Sequence, residues 1–231
     1  MNNLIGVIGG LGPKATTYFM DLVINNTISE CDQDNVDLLV CQFSSIPDRT
    51  SFILGKSDNS PVPEMIKCAR ILEREGCKYI VIPCNTASYF FDEVQSRVNS
   101  KIINILEETS KFVLKDKPKK VGLMATDGTI KSGAYHKFIG NDLLFVPDDV
   151  HQEKVMNIIY NKVKKNKEVS LDEFEEILDY FRENGCEKII LGCTELSVIY
   201  SYLKVSYSDV VDSLTVLARK AVELSGKSLK E

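Results

Sequence analysis

One stretch of thirteen residues occurs twice in this chain. Gly76-Cys77-Lys78-Tyr79-Ile80-Val81-Ile82-Pro83-Cys84-Asn85-Thr86-Ala87-Ser88 aligns without a gap on Gly185-Cys186-Glu187-Lys188-Ile189-Ile190-Leu191-Gly192-Cys193-Thr194-Glu195-Leu196-Ser197, at an offset of 185 − 76 = 109 positions. Gly76, Cys77, Ile80, Cys84 and Ser88 meet identical residues in the second copy. Each copy reads as a loop, a buried strand and a polar turn that opens with a cysteine. An internal repeat of this kind constrains the fold to two copies of one α/β unit. The cysteine falls at the C-terminal end of its strand, where open α/β sheets place their ligands. Two such halves predict two thiols, Cys84 and Cys193, facing one substrate.

The rest of the chain agrees with two halves. Leu4–Ile8 reads as a strand, followed by the turn Gly9-Gly10-Leu11-Gly12-Pro13 and a helix from Lys14 to Ile28. Pro13 suits a first helical position, and a glycine-rich turn before a helix can bind an anion through free N–H groups or be a tight turn with no ligand. It lacks the Gly-x-Gly-x-x-Gly register of the dinucleotide fingerprint. Val36–Cys41 is a second strand. A long polar segment from Phe43 to Pro63, carrying Pro47-Asp48-Arg49-Thr50, reads as a binding loop. A helix then runs to Gly76, a strand covers Tyr79–Ile82, and a helix covers Thr86–Val98. Ile102–Ile105 is a strand, with a helix to about Lys115. Lys115 to Lys120 is a polar linker and the expected boundary.

The second half restarts with Val121-Gly122-Leu123-Met124 and the turn Ala125-Thr126-Asp127-Gly128-Thr129. A helix to about Ile139, a strand at Leu143–Val146 and an amphipathic stretch Val150–Lys164 follow. Ser170 with Glu173 reads as a capping box. Asp212 caps a last helix, Ser213–Leu224, whose length lets it return to the first half. Strands alternating with helices imply parallel sheets. The expected division is residues 1–115 plus 211–231 for one domain and 116–210 for the other.

Composition excludes several functions. A net charge of −5 without a basic stripe argues against nucleic acid. No apolar run approaches the roughly 20 residues that span a bilayer. Seven cysteines without a signal-peptide layout point to free thiols in a reducing cytoplasm. Cys77 and Cys84 lie roughly 23 Å apart along an extended strand, too far to share one tetrahedral zinc. The same holds for Cys186 and Cys193, and His136 and His151 are the only histidines. No structural metal is therefore expected. Cys31, Cys41, Cys68, Cys77 and Cys186 read as small buried packing residues. Cys84 and Cys193 precede helix starts, where exposed N–H groups favour the thiolate and Asn and Thr add donors. One thiolate taking a proton from carbon while the opposite thiol returns one would invert a stereocentre. Two buried strand-end cysteines left by gene duplication are the alternative.

On Gly9-Gly10-Leu11-Gly12-Pro13, Pro83-Cys84-Asn85-Thr86-Ala87, Ala125-Thr126-Asp127-Gly128-Thr129 and Gly192-Cys193-Thr194-Glu195, the chain resembles the aspartate/glutamate racemases that need no pyridoxal phosphate. Pro47-Asp48-Arg49-Thr50 and Ile158-Ile159-Tyr160 with Lys164 extend the likeness over nearly the whole length. It is nearer the aspartate branch than the cell-wall glutamate racemases, which usually open with Asp-Ser-Gly in place of Gly9-Gly10-Leu11. The resemblance implies two Rossmann-like α/β/α domains related by a pseudo-twofold axis, with the site between them. It makes Cys84 and Cys193 the acid/base pair, and Asn85, Thr86 and Thr194 the turn residues holding the α-carboxylate and amino group. Arg49 and Lys164 become the cations for a side-chain carboxylate. Gly10, Leu11 and Thr126 complete the expected substrate-binding set. The implied working form is a cytoplasmic homodimer acting on a small amino acid without a cofactor. Ser88 stands where the family often has His, which removes an imidazolium from the expected machinery. Malonate decarboxylation, hydantoin racemisation, maleate isomerisation, broad amino-acid specificity and a non-catalytic binding module are the competing functions. Decarboxylation needs one of the cysteines and binding alone needs neither.

Overall fold

The computed structural model describes residues 3–230. The first half runs β1 (Ile5–Gly9), α1 (Pro13–Asn26), β2 (Leu38–Gln42), α2 (Arg49–Ile53), α3 (Val62–Arg74), β3 (Tyr79–Val81), a 3-10 stretch at Thr86–Phe90, α4 (Phe91–Gln95), β4 (Lys101–Ile103) and α5 (Ile105–Leu114). The second runs β5 (Val121–Ala125), α6 (Asp127–Lys131), α7 (His136–Ile139), β6 (Leu144–Phe145), α8 (Asp149–Met156), a π-helical turn at Asn157–Lys162, a 3-10 turn at Val163–Lys165, α9 (Leu171–Glu183), β7 (Lys188–Gly192), α10 (Thr194–Leu203), β8 (Val210–Asp212) and α11 (Ser213–Ser225).

The strands form two four-stranded sheets of the same order, β2-β1-β3-β4 and β6-β5-β7-β8, in which every pairing is parallel. The expected α/β class with parallel sheets is what the chain adopts. The offset of the repeat carries Tyr79 onto Lys188 and Lys101 onto Val210, the first residues of equivalent strands. It also carries the buried stripe Met65, Cys68, Ala69, Leu72 of α3 onto Phe174, Ile177, Leu178, Phe181 of α9. Both stripes follow the i, i+3, i+4, i+7 spacing that puts side chains on one helix face. Both helices stop at a glycine with positive φ, Gly76 at 85° and Gly185 at 78°. The Ser170–Glu173 capping box forms as read.

Each half buries one apolar cluster of its own, under α3 in the first and under α9 in the second. A third cluster draws on both sheets and is filled by α1, α5 and α11, with Phe19, Leu106, Leu214 and Leu217 among its buried residues. α5 and α11 follow equivalent strands and are capped alike. Asn104 accepts from the Leu106 N–H, and Asp212 from the N–H groups of Leu214 and Thr215. Their packing together holds the C-terminal ends of the two sheets in a fixed relation.

Sequence reading and structure part company in several places. The single helix expected over Thr86–Val98 is a 3-10 stretch followed by the short α4. The helix expected to reach Ile139 is cut by Gly133, whose φ is 64°, into α6 and α7. The loop from Phe43 to Pro63 contains α2, capped by Asp48. β8, of three residues, was not among the expected strands. Cys31 was expected to be buried but is exposed, on a 3-10 turn where its thiol donates to Asp34.

A packing difference between the copies gives a stability prediction. A Cβ on Gly122 would lie 2.5 Å from Cδ1 of Phe181, which is fully buried. Gly122→Ala is expected to cost about 1–3 kcal/mol, as over-packing of a tight core does. Phe181→Leu, which copies Leu72 of the first half, should recover part of that loss in urea unfolding. No recovery would mean that the strain lies elsewhere than at this contact.

Candidate active site

The repeat places Cys84 three residues beyond the end of β3 and Cys193 directly beyond β7. Equivalent strand ends in sheets that meet through α5 and α11 converge on one cavity. Both cysteines line it, with Leu11, Asp48, Arg49, Thr50, Asn85, Thr86, Thr126, Tyr160, Lys164, Thr194 and Glu195. The two thiols are 6% and 5% exposed. The cavity offers about 10 Å³ to water-sized bodies, close to the space of one water. An amino acid therefore enters only when the lining parts. A wider outer pocket of about 620 Å³ adjoins it and shares Asp48, Arg49, Lys164 and Glu195.

One wall is a network of neutral donors and acceptors that crosses between the halves. The hydroxyls of Thr86, Thr126 and Thr129 form a triangle with sides of 2.9–3.1 Å, and Thr50 donates to Thr126 at 3.3 Å. Tyr135 donates to Asn85 Oδ1 at 2.7 Å, Asn85 Nδ2 donates to Ser213 Oγ at 2.9 Å, and Ser213 donates to the Leu191 carbonyl at 2.7 Å. Because the Ser213 hydrogen is committed to that carbonyl, its oxygen must accept, which fixes the Asn85 amide orientation. The groups beside Cys84 are thus set by residues of the other half.

The opposite wall carries charge. Arg49 is 7% exposed and gives Nη1 to the carbonyls of Ile46 and Pro47 and Nη2 to that of Leu11, while its buried Nε has no partner. Among the described residues no carboxylate lies within ion-pair distance of this guanidinium. Asp48 acts on it only at longer range, and a buried cation with no salt-bridge partner is costly, so the place suits an incoming anion. Lys164 Nζ lies 3.4 Å from Asp48 Oδ2 and 3.8 Å above the Tyr160 ring centroid. Burial by itself would lower the Lys164 ammonium, but Glu195, Tyr160, Cys193 and Asp48 outweigh it and hold it above its usual range. The π-helical turn before it presents Tyr160 to this wall; such turns often occur at functional sites.

The two thiols differ. Cys193 Sγ donates to Glu195 Oε2 at 3.0 Å. Burial first, and then the Glu195 charge, push this thiol well above its ordinary range, with Lys164 opposing. Burial and Glu195 both favour the thiol form of Cys193.

Of the residues singled out from sequence, Cys84, Cys193, Leu11, Arg49, Asn85, Thr86, Thr126, Lys164 and Thr194 share the inner cavity, and Gly10 lines the outer pocket. Gly10 has a φ of 90°, and a Cβ there would stand 2.5 Å from the Phe43 carbonyl carbon. Ser88 lines a separate pocket with Tyr89 and Asn104, away from both thiols. Asp48, Thr50, Tyr160 and Glu195 stood in the sequence motifs but were assigned no role there. Glu195 carried a signal in the repeat, since it stands where the first copy has Thr86. Among the described residues no group of three His, Cys, Asp or Glu side chains is placed to hold a metal ion.

Comparison with known proteins gives a consistent result. A family model described as Asp/Glu/Hydantoin racemase matches residues 8–221. The solved aspartate racemase of Picrophilus torridus superposes with a TM-score of 0.86 at 31% identity, covering 99% of this chain and 96% of that one. The broad specificity amino-acid racemase RacX of Bacillus subtilis is 27% identical over 95% of this chain and 96% of its own length. A glutamate racemase of Aquifex pyrophilus is 30% identical over 71% of this chain and 65% of its own.

Proposed function

Since the chain belongs to the Asp/Glu/Hydantoin racemase family, we propose that it racemises an acidic amino acid, L- and D-aspartate first, without a cofactor, using Cys84 and Cys193 as acid and base. The observation that carries this reading is the cavity between equivalent strand ends, where both thiols meet a buried guanidinium that forms no salt bridge among the described residues. A substrate Cα held between the sulfurs would meet one on each face. One sulfur takes the α-proton while the other returns a proton to the opposite face, and the enantiomers use the pair in opposite order. The hydroxyls and amide of Thr86, Thr126, Asn85 and Thr194 are the donors for the α-carboxylate as it takes on enolate charge. Arg49 and Lys164 bind the side-chain carboxylate, Arg49 through a planar fork suited to two parallel hydrogen bonds.

Likeness to the Picrophilus torridus aspartate racemase and the tightness of the inner cavity support aspartate. The likeness to the broad specificity racemase, with the outer pocket beside Arg49 and Lys164, supports a second reading in which larger side chains are also accepted. A cytoplasmic homodimer is the working form we take with this function; light scattering of the purified protein tests the dimer. The function is tested with a panel of L- and D-amino acids in deuterated water without added cofactor. Loss of optical rotation from L-aspartate with deuterium entering at Cα is the expected result. No exchange with any acidic amino acid would overturn the reading.

A further inference from the structure

Glu195 breaks the symmetry of the repeat at the reacting sulfur. Its side chain is buried at 8% exposure, and Oε2 accepts the Cys193 thiol at 3.0 Å. The other oxygen turns to the glycine-rich turn, where a Cβ on Gly12 would stand 2.8 Å from Oε1. Gly12 has a φ of −121°, which any residue adopts. Its backbone conformation therefore does not call for glycine, whereas the carboxylate needs the space.

If Cys193 gave its proton to solvent, two anions would stand in contact in a closed cavity, and like charges that share a site do not both ionise. The other ionisable groups around the pair are Lys164 and Tyr160 on one side, Asp48 and Arg49 on another, Cys84 across the cavity, Tyr135 against the Asn85 amide and the exposed Lys14 in the outer pocket beside Glu195. Lys164 and Arg49 suit one negative charge here and do not remove the conflict between two adjacent ones.

Building on the two-cysteine reading, we propose that Cys84, Cys193 and Glu195 share two protons, and that Glu195 takes the Cys193 proton to make the thiolate. At rest both sulfurs carry hydrogen and Glu195 is a carboxylate. The Cys193 S–H bond breaks as an O–H bond forms on Oε2; sulfur keeps the electron pair, and the charge passes from carboxylate to sulfur. The thiolate then removes the Cα proton, Cys84 delivers its own to the opposite face, and the charge passes to the Cys84 sulfur. After product leaves, Cys193 passes its proton across the cavity to the Cys84 thiolate and Glu195 returns its own to Cys193, which restores the resting state. The other enantiomer follows the reverse course, entered by the same two transfers run backwards. At each resting or chemical end state the three groups carry one negative charge, so no proton has to leave for bulk water during inversion.

The test reads the thiolate and needs no substrate. In Cys84→Ser protein, alkylation of Cys193 by iodoacetamide is followed by peptide mass spectrometry from about pH 6 to about pH 8, the thiolate being the reactive form. With an internal acceptor the thiolate fraction does not depend on pH, so the rate is expected to stay flat within about twofold across that range. With Glu195→Gln added, the thiol must ionise to solvent, and the rate is expected to rise roughly tenfold per pH unit. Gly12→Ala, whose methyl displaces the carboxylate, should give the same rising profile and serves if Glu195→Gln does not fold. A steep rise with Glu195 and Gly12 intact overturns the proposal, as does a flat profile that survives both substitutions. A flat profile lost on Glu195→Gln, in a chain that racemises nothing, retains the shared proton and overturns the racemase reading alone.

Discussion

Cys84→Ala and Cys193→Ala should each abolish racemisation in both directions while leaving the fold intact. Loss of one acid/base group removes about 10²–10⁴-fold in rate, and here the missing sulfur leaves one face of Cα with no group to deliver or accept a proton. The enantiomers are equal in free energy, so kcat/KM must fall equally in the two directions whichever sulfur is removed. Proton abstraction alone needs a single base. Each variant should therefore retain slow α-deuterium exchange without inversion, Cys84→Ala on one enantiomer and Cys193→Ala on the other. Polarimetry and mass spectrometry on the same samples separate the two events. Both side chains are small and buried, so circular dichroism and a thermal melt confirm the fold. A folded Cys193→Ala protein that interconverts L- and D-substrate at the wild-type rate would sink the mechanism.

Arg49→Ala should lower kcat/KM for aspartate by roughly 10- to 150-fold, mostly through KM, corresponding to about 1.5–3 kcal/mol for hydrogen bonds to a charged group. The substitution also strips donors from the carbonyls of Leu11, Ile46 and Pro47, a structural loss that all substrates share. The ratio of aspartate to alanine turnover cancels that shared part. Selective loss on aspartate identifies Arg49 as the receptor for the side-chain carboxylate. Equal loss on both leaves it as a brace that ties α2 to the turn after β1.

The helices α3 and α9 were legible because a 3.6-residue apolar period and a terminal glycine are local signals. They recur at the 109-residue offset, which doubled their weight. The same offset exposed the two cysteines, since each follows a β-branched run and precedes a polar turn. Short or interrupted elements were less legible. The Thr86–Val98 segment has a helical composition, but Asn85 and Thr86 are engaged by Tyr135, Ser213, Thr126 and Thr129 of the other half, and tertiary bonds override local propensity there. Cys31 was misread because a lone cysteine says nothing about which side of the surface it lies on.

By itself, then, the sequence determined the duplicated α/β plan, the parallel sheets and the identity of the paired thiols, because these are written in local period and repeat. Only the tertiary structure decided what surrounds each thiol. Contacts such as Tyr135 to Asn85, Lys164 to Asp48 and Glu195 to Gly12 join residues 50, 116 and 183 positions apart in the chain. Whether such residues meet depends on how α5 and α11 pack the two sheets together, and that packing uses apolar side chains that many other arrangements would bury equally well. The unequal settings of Cys84 and Cys193, one beside neutral amide and hydroxyl groups and the other against a buried carboxylate, follow from that packing.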